Sequence, residues 1–390
     1  MKAARRVLCI FTFALYVVFA LFLAVTTHGD MGPGRSPLGF DFSADYEAAQ
    51  LARHGATARA YDDEAFLADE QARFPESTLK LPWNYPPIFQ ALLLPFSVLP
   101  YFEAFASWTT LLLGAHLAFT RRVAAPSALW PLLLFPGAVI NLFLGASGLL
   151  LALFVGCGLF WLDRRPRLSG AFFALAMFKP HLALLAPVAL LLNRRHRALV
   201  AMLATVLVLV AGTSIVFGAN AWLAFFAKAT HASNVATSSS SDWARVPTVY
   251  TLVQVVGLGK TGACIMHAMV ALAAVVAMSW LWKSKATPAI RGGALALALL
   301  IVTPYARIYD FALLLFPILA LIDEPDLVDR SLVALMWIAP LVGLLVQRST
   351  PWLALLPLLA LVRLAMKARQ PISETGSDIS AHGRIVDPEP

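Results

Sequence analysis

The chain has 390 residues, of which 59% are hydrophobic and only 13% charged, and its mean hydropathy is +0.74. A composition this apolar cannot cover a water-soluble globule, so the solvent it is built for is the bilayer. The net charge of +8 does not point to nucleic acid, because the basic residues fall in short loops between apolar runs, where membrane orientation accounts for them.

Lys2, Arg5 and Arg6 precede an unbroken apolar run from Val7 to Val25, which at ~1.5 Å per residue nearly crosses a ~30 Å hydrocarbon core. Thr26, Thr27, His28, Gly29 and Asp30 follow without a small-x-small cleavage site, so the run reads as an uncleaved anchor rather than a signal peptide. A large first loop spans 26–85. Pro86 to Pro100 is apolar but short, with Pro95 inside it. Counting it as a span would invert every later loop, so it reads as re-entrant or interfacial, a form of backbone that borders sheltered cavities.

Continuous apolar runs then recur near 104–120, 127–141, 149–162, 168–178, 182–193, 198–217, 262–282, 290–303, 311–322, 331–347 and 352–366. Continuity excludes a β-barrel, which requires alternation. The expected fold is all-α: a polytopic transmembrane helical bundle of about 12 spans, within a range of 10–13. Several runs are shorter than the ~20 residues of a straight span and predict kinked or broken helices. A second large loop covers 217–261 and holds the polar run Thr237 to Asp242, and the polar tail 370–390 is expected to be disordered. Residues 1–369 form one membrane domain without a repeat of fixed period. Cys9, Cys157 and Cys264 each stand alone in apolar stretches, which indicates neither a disulfide framework nor a zinc site.

With the N-terminus in the cytoplasm, this threading puts 19 of the 30 Lys and Arg residues inside, concentrated in the short loops where the positive-inside rule is reliable. Of the 22 acids, 13 fall outside, ten of them between Asp30 and Glu76. The chain therefore reads as a multi-pass membrane protein whose polar chemistry faces away from the cytoplasm.

Four polar features stand on that outer side. A short helix beginning near Asp41 would set Asp41 and Asp45 on one face; they form either a solvated face with Asp41 as an N-cap, or carboxylates poised to take a proton from a hydroxyl. Lys179-Pro180-His181 interrupts an apolar hairpin and offers a point charge and freed amides to an anion, where a snorkelling Lys is the plainer alternative. Tyr305, Arg307, Tyr309 and Asp310 crowd the stretch Thr303 to Asp310; Asp310 could cap the next helix, and the Arg307 guanidinium suits phosphate. Trp83 and Tyr85, in Pro82-Trp83-Asn84-Tyr85-Pro86-Pro87, serve as an interfacial aromatic belt or as a platform for a sugar ring.

The order of these pieces resembles glycosyltransferase family 87, integral-membrane enzymes of the GT-C class that include polyprenyl-phosphate-mannose-dependent α-mannosyltransferases. The likeness is carried by Asp-Phe-x-x-x-Tyr-x-Ala-Ala from Asp41, by Gly55 to Tyr61, by Tyr85-Pro86-Pro87 with Pro95 beyond, by Lys179-Pro180, and by Pro304-Tyr305 with Tyr309-Asp310. The chain departs from the family pattern at Asp45-Tyr46, where an aromatic pair is usual, and at Gly145-Ala146-Ser147-Gly148, where Gly-Gln is common.

The resemblance implies Asp41 as catalytic base, with Asp45 as its rival, a lipid-phosphate-linked hexose as donor, a lipid or glycan as acceptor, and inverting transfer with neither cofactor nor required metal. Lys179, His181, Arg307, Tyr305, Asp310, Tyr85 and Trp83 would then bind substrate. The chemistry is self-consistent: a polyprenyl phosphate leaves without a protonating acid, and cations can offset the charge that develops on it. A transporter or flippase for lipid-linked sugars is the alternative, with the same charges lining a path, although such proteins commonly show two matching halves.

Overall fold

The structure, a computed structural model, describes residues 2–79, 81–235 and 246–369; the run Thr237 to Asp242 and the tail from Gln370 lie outside the described residues. Helix α1 (Lys2–Thr26) covers the first apolar run. The loop after it folds into a minimal hairpin (β1, Met31–Gly32; β2, Ser36–Pro37), then α2 (Phe42–Arg53), a 3-10 turn at Thr57–Tyr61, and α3 (Asp63–Arg73). Asp62 starts α3 as its N-cap, accepting from the Ala65 amide at 3.1 Å. The acid-rich loop is no solvated flap: Phe42, Ala48 and Ala49 of α2 are wholly buried. The acids on its back are paired, Glu47 with Arg73 and Glu70 with the Ser43 hydroxyl at 2.7 Å.

Pro86 to Pro100 forms α4 (Pro87–Leu93) and a 3-10 turn at Leu94–Val98. At helical rise this piece is only about 18 Å long, well short of a ~30 Å core. Both its ends are held by the same loop. The Tyr61 hydroxyl donates to Tyr85 O at 3.0 Å, and the Tyr46 hydroxyl donates to Leu99 O at 2.8 Å. Gln50 and Arg53 both donate to Ser97 O, at 2.9 and 2.8 Å. Both ends are thus tied to residues of the first loop, as a short segment that does not cross requires.

The remaining helices are α5 (Tyr101–Val123), α6 (Leu129–Leu133), α7 (Pro136–Leu144), α8 (Gly148–Trp161), α9 (Pro166–Leu175), α10 (Pro180–Ala183), α11 (Leu185–Leu192), α12 (His196–Phe217), α13 (Ala219–Val235), α14 (Val249–Val255), α15 (Gly259–Lys283), α16 (Pro288–Val302), α17 (Leu315–Leu321), α18 (Leu327–Leu345) and α19 (Leu355–Arg369). Each expected span coincides with a helix, whole or broken, and the breaks fall where proline forbids continuation. The chain interrupts before Pro136 and at Lys179 before Pro180, and each proline then occupies the first turn of the next piece. The second large loop differs from expectation. Gly218, at φ +81°, turns the chain, and α13 follows at once because Trp222, Phe225 and Phe226 recur at helical spacing.

Among the described residues, five helices are long and apolar enough to cross a bilayer in one piece: Arg6–Thr26, His196–Phe217, Gly259–Lys283, Leu327–Leu345 and Thr350–Arg369. In the first two only 6% and 11% of the span's residues are buried inside the protein, which leaves most of each helix to face lipid. Shorter α16 is the opposite, with an unbroken run of core side chains from Gly292 to Ile301, as a helix apolar all round and central in the bundle must be.

Loop contacts sort into two sets. On the arginine-rich side Arg195 pairs with Asp163 at 2.5 Å, Ser127 donates to Asp323 at 3.2 Å, and buried Asp329 binds Arg363 at 2.6 Å and Lys367 at 2.9 Å. On the acid-rich side Lys228 pairs with Asp63 at 2.5 Å and the Thr248 hydroxyl donates to Pro304 O at 3.1 Å. The chain is a polytopic all-α membrane bundle with two distinct polar ends.

Candidate active site

The acid-rich end gathers the predicted polar residues around the start of α2. Asp41 stands at its N-cap position, and the Asp41 amide donates to Leu144 O at 2.9 Å, which fastens the loop to the end of α7. Capping is the ordinary use of an Asp there, yet this side chain accepts from no amide of α2. Asp45, one turn on, is 3% exposed, and no donor among the described residues reaches its carboxylate.

Two glycines and one asparagine bring the distant pieces to this point. Gly145 has φ +65°, and a Cβ there would lie 2.5 Å from Phe42 Cβ. A Cβ on Gly148 would lie 2.3 Å from Tyr309 O. Asn141 donates to Gly137 O at 2.7 Å and Tyr309 O at 2.9 Å while accepting from the Leu149 amide at 2.8 Å. One buried amide thus bolts α7, α8 and the Thr303 to Asp310 turn together. Tertiary contact alone reveals this, although an Asn between Gly137 and Gly145 in an apolar run was the available signal.

Lys179 and Asp310 form an ion pair at 2.7 Å with each side chain only 2% exposed. The other oxygen of Asp310 accepts from the Arg307 amide at 2.8 Å, capping the 3-10 turn at Ile308–Leu314. Lys179 Nζ also lies 4.6 Å from the Tyr309 ring centroid and 5.6 Å from that of Tyr85, so aromatic faces share its charge. Arg307 is less enclosed. Its Nε donates to the Tyr305 hydroxyl at 2.8 Å, leaving the guanidinium Nη atoms able to meet another acceptor.

Burial pushes the Asp41 carboxyl up to about 7; Arg307 and Lys179 oppose that rise, and Asp310 adds to it. Burial likewise holds Asp45 well above the usual carboxylate range, with the Asp41 charge adding and Lys179 opposing. These couplings place Asp41, Asp45, Lys179, Arg307 and Asp310 in one electrostatic cluster. A half-ionised carboxyl near pH 7 beside a fixed cation can accept a proton from a hydroxyl.

The other predicted residues are distributed unevenly. Tyr85 is at the cluster, its hydroxyl 3.0 Å from Ser147 Oγ. His181 and Tyr305 meet ring to ring at 6.4 Å on its flank. Trp83 is turned inward: it is 1% exposed and stacks on Phe89 at 5.7 Å, so it braces Tyr85 and leaves no face for a sugar. Tyr309 and Ser147, absent from the predicted set, line the same place.

Comparison with known proteins gives one finding. The sequence model of glycosyltransferase family 87 matches residues 83–304. No curated protein and no solved structure matches. The match covers more than half of the chain and runs from Trp83 through Lys179 to Pro304, and on it this membrane protein belongs to glycosyltransferase family 87.

Proposed function

We propose that the protein transfers a hexose, mannose by the family resemblance, from a polyprenyl-phosphate donor to a lipid or glycan acceptor on the non-cytoplasmic face of a bacterial plasma membrane. Asp41 takes the proton of an acceptor hydroxyl. The oxygen attacks the anomeric carbon in line, the bond from that carbon to the phosphate oxygen breaks, and the polyprenyl phosphate departs with the bonding electrons and inverted configuration at carbon. Arg307 holds the phosphate as its charge grows. Lys179, already matched by Asp310, positions the site more than it binds the donor, a narrower role than its sequence setting implies. His181, Tyr305 and Tyr85 border the sugar, and the apolar segment Pro86 to Pro100 walls the path of the lipid chain. Residues 1–369 act as one domain, with the tail on the cytoplasmic side.

The observation that carries this reading is Asp41 itself: a carboxylate at a helix N-cap that caps nothing and whose titration feels both Arg307 and Lys179. Sugar transfer from synthetic polyprenyl-phosphate mannose by the purified protein tests it. Asp41→Asn is expected to abolish transfer with the fold intact, while Asp45→Asn retains measurable activity. Activity of Asp41→Asn near that of the unaltered protein removes Asp41 from the role.

A further inference from the structure

A second polar feature lies at the opposite end of the bundle, remote from Asp41. The loops at 163–167, 194–197 and 283–291 together carry nine Lys and Arg residues and one acid, Asp163. Orientation explains the charge but not its shape. Two of the nine, Arg195 and Arg291, line a small cavity of about 40 Å³ with Asn193, Asp163, Leu159 and Trp282. The other seven are exposed.

Arg291 is held for use. Its Nε donates to Ala286 O at 3.0 Å and its own carbonyl accepts from Trp282 Nε1 at 2.8 Å, which fixes the guanidinium plane. Its two Nη groups have no partner among the described residues, leaving a fork that matches two phosphate oxygens. Arg195 is paired with Asp163 at 2.5 Å, so Arg291 is the lining cation left without an acid partner among the described residues. The cavity also adjoins the start of α12 at Arg195, whose uncapped first-turn amides add partial positive charge. Leu159 and Trp282 give it an apolar wall.

We propose that this cavity binds the phosphate of an anionic membrane phospholipid, with Arg291 as its bidentate ligand and the apolar wall against the glycerol and first acyl carbons. Basic pockets between helix ends at a membrane surface have this chemistry. A soluble phosphate would satisfy the fork but would leave the apolar wall unused. The site is independent of the transferase reading, and its test needs no donor sugar.

The full-length protein in dodecyl maltoside is titrated with phosphatidylglycerol, phosphatidylcholine or inorganic phosphate while bound lipid is counted by native mass spectrometry and unfolding temperature is followed. Phosphatidylglycerol is expected to bind saturably and raise the unfolding temperature, and the other two to do neither. Arg291→Gln should weaken phosphatidylglycerol binding about tenfold or more, and Arg122→Gln, in the last turn of α5 and outside the cavity lining, should leave it unchanged. Should Arg291→Gln fail to fold, Arg291→Lys keeps the charge, loses the fork and is expected to weaken binding in the same direction. Equal binding by wild type and the Arg291 variants, equal binding of phosphatidylcholine, or full protection by inorganic phosphate would each overturn the proposal.

Discussion

Replacing Asp310 with Asn removes one charge from a pair whose members are each 2% exposed and 2.7 Å apart. At an effective dielectric of ~20 the gross attraction at that distance is about 6 kcal/mol, and desolvating the two ions costs several kcal/mol each, so the pair as a whole contributes little net stability. Breaking it differs from deleting it. Asp310→Asn leaves the buried Lys179 ammonium without its contact anion, beside the Tyr85 and Tyr309 rings and coupled only at longer range to Asp45, at a cost of about 3–5 kcal/mol. The double change Lys179→Met with Asp310→Leu removes both charges and is expected to unfold close to wild type. Unfolding of wild type, Lys179→Met, Asp310→Leu and the double variant in one detergent gives the coupling energy, expected at about 3 kcal/mol. Additive single effects, with the double variant as unstable as their sum, would refute a charge-matched Lys179 and return it to the set of free phosphate ligands.

Transfer activity should depend on pH through Asp41: below about 7 the carboxyl carries its proton and cannot accept another, so kcat/KM rises through that pH with unit slope and levels above it. An inflection near 4 would mean an ordinary solvated carboxylate. Arg307→Gln removes a cation that opposes the rise in Asp41, which should move the inflection up by about one unit, read from the same profile. Arg307→Lys keeps the charge and loses the fork, so the donor KM should rise about tenfold with a smaller change in kcat. Gly148→Ala sets a Cβ 2.3 Å from Tyr309 O and should destabilise by about 1–3 kcal/mol; Gly212→Ala, in open space within α12, should be neutral or stabilising in the same thermal assay.

Much of the bundle is legible one residue at a time. Continuous apolar runs locate the helices, and Pro136 and Pro180 locate their breaks, because helix length and proline geometry are local properties of the chain. Sorting charged residues by loop separates an arginine-rich end from an acid-rich one, and the loop contacts keep these ends apart. Asp41 and Asp45 share a face by spacing alone. Helix α13 begins where an apolar run ends, at a point that reads as loop, although the spacing of Trp222, Phe225 and Phe226 signals a helix.

The identities of the partners are another matter. That Lys179 meets Asp310, 131 residues away, that Asn141 bolts three elements at once, that Trp83 faces inward and that Asp41 caps nothing all depend on how helices pack in three dimensions. The amino-acid sequence by itself determined a membrane bundle and the polar residues at each of its ends. Only the tertiary structure decided which charges neutralise one another and which stay available, since burial and distance set whether a charge is matched, and neither is written in local spacing.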